Sequence, residues 1–130
     1  MKILVGYDGT NASKEAINLS IMHAKAFGAE IHVATSMESG TEKQQQEIVN
    51  AKNELDWVES TFVKEKIPCE CHLLIRGLSP GEDLVQFAEE NRVDEIIVGV
   101  KRRSRVEKIL LGSTAQYVII KAPCVVVTVK

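Results

Sequence analysis

The chain has 130 residues, 45% of them hydrophobic and 26% charged, which is the composition of a folded globular domain rather than a disordered one. Sixteen Lys and Arg stand against 18 Asp and Glu, without the basic excess typical of nucleic-acid-binding or membrane-surface proteins. No apolar run reaches the roughly 18 residues of a membrane span, and three cysteines do not form a disulfide framework. We therefore expect one domain over residues 1–130, in the reducing cytoplasm, with no nucleic-acid or membrane partner.

Short apolar segments, spread evenly along the chain, predict the strands of a β-sheet. They are Ile3–Val5, Ile31–Ala34, Cys71–Ile75, Ile96–Val98 and Val125–Val127. Their side chains are mostly aliphatic or β-branched with little polar alternation, which is typical of strands that are buried on both faces of a parallel sheet.

Helical periodicity fills the gaps between these segments. The predicted helices run from Asn11 to Phe27, from Thr41 to before Pro68, from Ser79 onwards, and from Ser113 to before Pro123. Gly28 is a typical C-terminal stop for the first helix, and Thr41 with Gln44 matches a capping box for the second. Ser79 followed by Pro80 predicts the start of the third helix.

The alternation of strands and helices predicts an α/β fold, a single-domain five-stranded parallel sheet with helices on both faces and right-handed crossovers. Ligands of such sheets bind beyond the carboxyl ends of the strands, near the point where the strand order reverses. The segments that leave these ends are therefore the candidates for a binding site.

Positive charge is concentrated in one of these segments. Residues 99–112 contain five cations and one acid, a net charge of +4, and the rest of the chain carries −6. The segment leads into Gly112, Ser113 and Thr114, where free N–H groups, hydroxyls and the positive end of a helix dipole suit an anion. The alternative is that the cations only form a solvated surface.

Two further residues at predicted strand ends suit a nucleotide. Gly99 follows a strand directly and lets backbone N–H groups approach a phosphate closely. Asp8 lies at the tip of the first strand and suits hydrogen bonds from a ribose, although capping the first helix is an equally simple role for it.

With these features the chain resembles the universal stress protein family over essentially its whole length. The matching segments are Ile3–Thr10, the long second helix, Gly77, Gly99–Ser113 and Ala122–Val127. The ATP-binding members share the pattern of Gly, two residues, Gly, nine residues, then Gly-Ser or Gly-Thr. Gly99 and Gly112-Ser113 match this spacing, whereas Arg102 replaces the middle glycine.

The resemblance implies a Rossmann-like, adenine nucleotide alpha hydrolase-like three-layer sandwich that binds ATP or AMP, with Mg²⁺ beside ATP, and acts in the stress response. It implies that Asp8 contacts the nucleoside and that the backbone near Ser36 contacts adenine. It further implies that Val98 and Gly99 border the sugar and phosphates, and that the residues from Gly112 to Thr114 contact the phosphates. The residues it implies for the whole nucleotide site are Asp8, Ser36, Val98, Gly99, Arg102, Gly112, Ser113 and Thr114. It also implies a homodimer through Val125 to Val129, an apolar edge that pairing would cover.

Arg102 leaves two functions open. An arginine brings a Cβ where a glycine lets the backbone wrap the phosphates, but its guanidinium binds phosphate oxygens in a bidentate way. We favour retained nucleotide binding, and the alternative is a dimeric interaction module that binds no nucleotide.

No catalytic or metal-binding residues are predicted. The sequence lacks a P-loop, a GxGxxG turn, a GxSxG elbow and an HExxH pair, so we expect at most slow ATP hydrolysis. Cys69 and Cys71 lack a second cysteine pair and are interpreted as core or surface residues without a metal. His23, His32 and His72 are scattered along the sequence and are interpreted as structural.

Overall fold

The computed structural model describes residues 1–39, 41–100 and 111–130. The strands are β1 (Lys2–Gly6), β2 (Glu30–Ser36), β3 (Cys69–Leu74), β4 (Glu95–Gly99) and β5 (Val125–Val129). The helices are α1 (Asn11–Phe27), α2 (Gln45–Lys64), α3 (Pro80–Glu90) and α4 (Ser113–Lys121). Across the described stretches, no helix combines the length and apolarity needed to cross a membrane.

The strands form one parallel sheet in the order β3-β2-β1-β4-β5. This confirms the predicted five-stranded parallel sheet. Because β1 lies at the centre and pairs with both β2 and β4, the strand order reverses between β1 and β4. Chain segments diverge to opposite faces at such a point, and a crevice opens at the carboxyl ends of the two strands.

Alternate side chains of the strands build two hydrophobic cores, one on each face of the sheet. On one face Val5 packs in a cluster with residues of α1 and α2, among them the fully buried Phe62. On the other face Leu4 packs with residues of α3 and α4, among them Phe87 and Val118. Each large side chain buried in this way contributes about 1.5–3 kcal/mol, so both helical layers are held by the sheet.

The boundaries of α1 follow the predicted signals. Thr10 precedes the helix in an extended conformation, and its hydroxyl accepts a hydrogen bond from the Ser13 N–H at 3.2 Å. Gly28 ends the helix in the left-handed conformation, with φ of 66°, and its N–H donates to the Ala24 carbonyl. A glycine takes this conformation without a Cβ penalty.

The capping box predicted at Thr41 is wrong. Its side chain makes no capping hydrogen bond, and Glu42–Gln44 form a short 3₁₀ turn ahead of the α-helix, which begins at Gln45. The Gln44 side-chain oxygen instead accepts a hydrogen bond from the Ser39 hydroxyl at 2.9 Å.

Gly99, the last residue of β4, touches the first turn of α1. A Cβ at this position would lie 2.7 Å from the Ala12 carbonyl carbon and 2.9 Å from the Ser13 nitrogen. Backbone atoms cannot rotate away as a flexible side chain can. The close approach of α1 to the end of β4 therefore requires a glycine.

We predict that Gly99→Ala lowers the free energy of unfolding by about 1–3 kcal/mol, the scale of overpacking a tight contact. The matched control is Gly112→Ala, because an added Cβ there meets no described atom within 4 Å. The control should cost less than about 1 kcal/mol, the scale of a change at a helix N-cap. Urea denaturation measures both, and equal losses would contradict the close contact.

Candidate functional site

A cavity of about 170 Å³ lies in the crevice where the strand order reverses. The carboxyl ends of β1, β2 and β4 meet there with the first turns of α3 and α4. Five of the predicted site residues line it, namely Asp8, Ser36, Val98, Gly99 and Thr114. Residues far apart in sequence are thus brought together at the carboxyl ends of the strands, because all strands of a parallel sheet end on the same side.

The other three predicted site residues are placed differently. Gly112 and Ser113 are exposed at the start of α4 and do not line this cavity, although Thr114 beside them does. Arg102 lies outside the described residues.

Tyr7 and Thr35 are site residues that sequence reasoning missed. Both line the cavity, and both also line a neighbouring one of about 370 Å³ next to α2. The Thr35 hydroxyl donates a hydrogen bond to the Tyr7 carbonyl at 2.8 Å, which ties β2 to β1 at the floor of the site. Their positions directly after apolar strand segments were the available signal.

Asp8 organises the turn between β1 and α1. Its Oδ1 accepts hydrogen bonds from the Thr10 N–H at 3.0 Å and from the Thr10 hydroxyl at 2.5 Å. Gly9 between them has φ of 80°, a conformation that glycine adopts without strain. Thr10, rather than Asp8, caps the helix, so the exposed Asp8 carboxylate orients the cap from the edge of the cavity.

The N-terminus of α4 is suited to an anion. The described residues provide no side-chain cap for it, and its first residues Ser113 and Thr114 carry hydroxyls. Uncapped N–H groups together with the helix dipole attract negative charge. In α1, by contrast, the Thr10 hydroxyl already occupies the Ser13 N–H.

A fully buried carboxylate, Asp83, fixes the wall of the cavity. Its Oδ2 accepts a hydrogen bond from the Ser36 hydroxyl at 2.7 Å, and its Oδ1 accepts one from Arg76 Nε at 2.6 Å. Arg76 also binds Glu90 at 3.0 Å. The Ser36 hydroxyl therefore donates its proton within the protein, and this hydrogen bond holds a residue that lines the cavity.

Tyr7 joins the floor of the site to α2. The Tyr7 hydroxyl donates a hydrogen bond to Glu54 Oε2 at 2.6 Å. Burial, followed by the hydrogen bond to Glu54, raises the Tyr7 pKa well above its usual value. The phenol therefore stays protonated and acts as a fixed donor.

The chemistry that the cavity offers is that of binding. Asp8 is the one carboxylate among the described residues that line it, and the other polar groups are hydroxyls and backbone amides. Such groups bind and orient a polar ligand. A nucleophile with an adjacent base is not among these described lining residues.

We predict that Arg76→Ala lowers the free energy of unfolding by about 3–5 kcal/mol, because it leaves the buried Asp83 charge without its cation. The control is Lys25→Ala, which breaks an exposed ion pair with Glu65. Exposed pairs contribute only about 0–1 kcal/mol, so the control should be nearly neutral. Urea denaturation of both variants checks this, and a small loss for Arg76→Ala would contradict a structural role for the ion pair.

Comparison with known proteins places the chain in a family. A curated universal stress protein from Methanocaldococcus jannaschii is 28% identical over 99% of this chain and 81% of its own length. The structure of a universal stress protein from Archaeoglobus fulgidus covers 100% of this chain and 98% of its own, at 33% identity and a TM-score of 0.90.

A structure of the universal stress protein from Archaeoglobus fulgidus in complex with dAMP is 31% identical, with a TM-score of 0.82, and covers 100% of this chain and 98% of its own. The sequence profile of the universal stress protein family matches residues 1–130. The fold, the matched relatives and this profile agree, and the chain belongs to the universal stress protein family.

Proposed function

We propose that this protein binds an adenine nucleotide, ATP or AMP, in the cavity between β1 and β4, and acts in the stress response as a cytoplasmic homodimer. The observation that carries the proposal is the meeting of Asp8 and the N-terminus of α4, which no described side chain caps, at one cavity where the strand order reverses. A carboxylate suits a ribose, and a free helix N-terminus suits phosphate.

Each part of the nucleotide has a partner in this proposal. The backbone near Ser36 meets adenine, and the hydrogen bond from the Ser36 hydroxyl to Asp83 holds this residue in place. Val98 and Gly99 border the sugar. The described cavity of about 170 Å³ is small for a whole nucleotide, and the adjoining cavity of about 370 Å³ shares Ser36 and Asp8 with it.

The phosphates meet the start of α4 and the cationic segment before it. Gly112, Ser113 and Thr114 offer amides and hydroxyls, and Arg102 offers a guanidinium that binds phosphate oxygens in a bidentate way. Mg²⁺ accompanies ATP. The dAMP bound to the Archaeoglobus fulgidus protein, which is 31% identical, supports an adenine nucleotide as the ligand.

The second candidate function is a dimeric interaction module that binds no nucleotide. The observation that favours it is Arg102 at the position of a family glycine, where a Cβ obstructs a backbone cradle. Slow ATP hydrolysis is the limit of any catalysis that we propose, because Asp8 is the one carboxylate among the described lining residues.

We predict that calorimetric titration of the nucleotide-free protein with AMP, ADP and Mg-ATP detects binding of at least one of them at millimolar concentration. Asp8→Asn should weaken this binding by about 1–3 kcal/mol, the scale of losing a charged hydrogen-bond partner. Glu65→Gln removes an acid from the C-terminal end of α2 and serves as the control with unchanged affinity. Absence of binding for all three nucleotides would favour the interaction module.

The same titration separates the two roles of Arg102. Arg102→Ala should weaken binding by about 1–3 kcal/mol if the guanidinium binds phosphate. Arg102→Gly should restore the backbone cradle and strengthen binding of ATP. Equal affinities of the wild type and both variants would show that the side chain does not contact the ligand.

The homodimer is proposed from the apolar surface around β5. This strand is the last of the sheet and pairs only with β4 in the described part of the chain. Val125 on β5 is 63% exposed, and Ile120 on the neighbouring α4 is 74% exposed. An open apolar edge favours pairing with a second copy, which covers the unpaired backbone groups and these side chains.

We predict that Val125→Lys converts the dimer to a monomer, because it places two charges in the paired edge. Val63→Lys is the matched control, since Val63 is 69% exposed on α2, away from β5. Size-exclusion chromatography with light scattering measures the mass of each variant. A wild type that elutes as a monomer, or a dimer that survives Val125→Lys, would contradict the proposed interface.

A further inference from the structure

The pairing of β2 with β3 creates a second cluster of chemically active side chains, away from the nucleotide site. His32 on β2 lies directly opposite Glu70 on β3, and His72 follows two residues later on the same face of β3. From the sequence we expected no metal site, because the two histidines are 40 residues apart. The register of the parallel strands brings them into contact.

Three potential ligand atoms of this cluster lie within 4.8 Å of one another. His32 Nδ1 and His72 Nε2 are 3.1 Å apart, and Glu70 Oε2 lies 3.6 Å from the first and 3.7 Å from the second. A circle through three atoms at these separations has a radius of about 2.0 Å, which is the length of zinc–imidazole and zinc–carboxylate bonds. A single ion at its centre is therefore within bonding distance of all three atoms.

The surroundings prepare the two imidazoles for a metal. The His32 side chain is only 10% exposed, and the ring of Phe87 packs against both histidines at centroid distances of 5.9 and 4.7 Å. A neutral imidazole with a free lone pair is the form that binds a metal.

Glu30 supports the orientation of His32 from the opposite side of the ring. Its Oε1 lies 3.7 Å from His32 Nε2. When Nδ1 binds a metal, Nε2 carries the proton, and this carboxylate lies on the side of that N–H, beyond direct hydrogen-bond distance. Metal-binding histidines in proteins commonly have such a carboxylate behind them.

We propose that His32 Nδ1, His72 Nε2 and Glu70 Oε2 bind one Zn²⁺ ion, which joins β2 to β3 at the edge of the sheet. Two imidazoles and one carboxylate form a familiar zinc ligand set and leave a fourth position for water. The nitrogen ligands favour a transition metal over Ca²⁺ or Mg²⁺, which prefer oxygen. The Glu70 side chain is 71% exposed, so an ion can reach the cluster from solvent on the side of this residue.

Cys69 and Cys71 flank Glu70 on β3 but belong to the other face of the sheet. Both pack against the core that includes α1 and α2. They are therefore separated from the proposed ligands by the strand itself. A zinc ion bound through these thiols would be a different site, and the experiment distinguishes the two.

Calorimetric titration with Zn²⁺ alone tests the proposal. The wild type should bind one ion per chain. Glu70→Gln and His72→Gln should each weaken binding by at least about tenfold, because loss of a residue that only hydrogen-bonds a metal ligand already has an effect of this size. Glu70 is exposed, so its variant is expected to fold. His23→Gln is the matched control, because His23 lies on α1 and binds Glu95 outside the cluster.

A second measurement uses Co²⁺ as a spectroscopic substitute for Zn²⁺. Visible absorption bands without a thiolate charge-transfer band, lost in His72→Gln and retained in His23→Gln, would support the site. Absence of Zn²⁺ binding, equal affinity in all variants, or a thiolate band would each overturn it. Asp8→Asn should bind Zn²⁺ like the wild type, because Asp8 lies at the nucleotide cavity and not in this cluster. A failure of nucleotide binding can therefore be told apart from a failure of the metal site.

Discussion

The pairing of β1 with a parallel strand on each side is the constraint on which the rest of the structure depends. Because crossovers between parallel strands are right-handed, a chain that adds β2 and β3 on one side and β4 and β5 on the other must place its helices on opposite faces. The two cores and the crevice between β1 and β4 follow from this arrangement. The candidate nucleotide site therefore exists because of topology before any of its side chains is considered.

The walls of the crevice are held by interactions of unequal strength. The hydrogen bond between Thr35 and the Tyr7 carbonyl joins two strands that the sheet already pairs, and a neutral bond of this kind contributes about 1 kcal/mol. The contacts of Asp83 with Arg76 and Ser36 join α3 to two strand ends and involve a charge without access to solvent. This second set fixes the position of the wall, since loss of one partner leaves an unpaired charge in the interior.

Local signals predicted most of the fold, and long-range contacts account for what they missed. Gly28 ends α1 and Pro80 begins α3 where the sequence indicated, because caps depend on a few neighbouring residues. The capping box at Thr41 did not form, and the Gln44 side chain is instead hydrogen-bonded to Ser39. The alternating order of strands and helices was predictable, because short aliphatic segments indicate buried strands and the segments between them have helical periodicity. A parallel sheet follows from that order.

For the site, the sequence could indicate which residues follow strands but not how their side chains pair. Asp8 and Thr114 both line one cavity. The salt bridge between Arg76 and Asp83, which lies behind the lining residue Ser36, could not be predicted from the sequence. The contact between His32 and His72 depends on the register of β2 against β3, which no local pattern encodes. Register and burial are properties of the assembled sheet.

The contact between Gly99 and the first turn of α1 changes how this part of the sequence is to be interpreted across the family. The glycine is demanded by helix packing, so selection for a stable fold retains it whether or not a ligand is bound. A relative that has lost its nucleotide would be expected to keep this residue while the segment after it diverges. A glycine at the end of β4 is thus explained by helix packing alone and is not by itself evidence of a bound nucleotide.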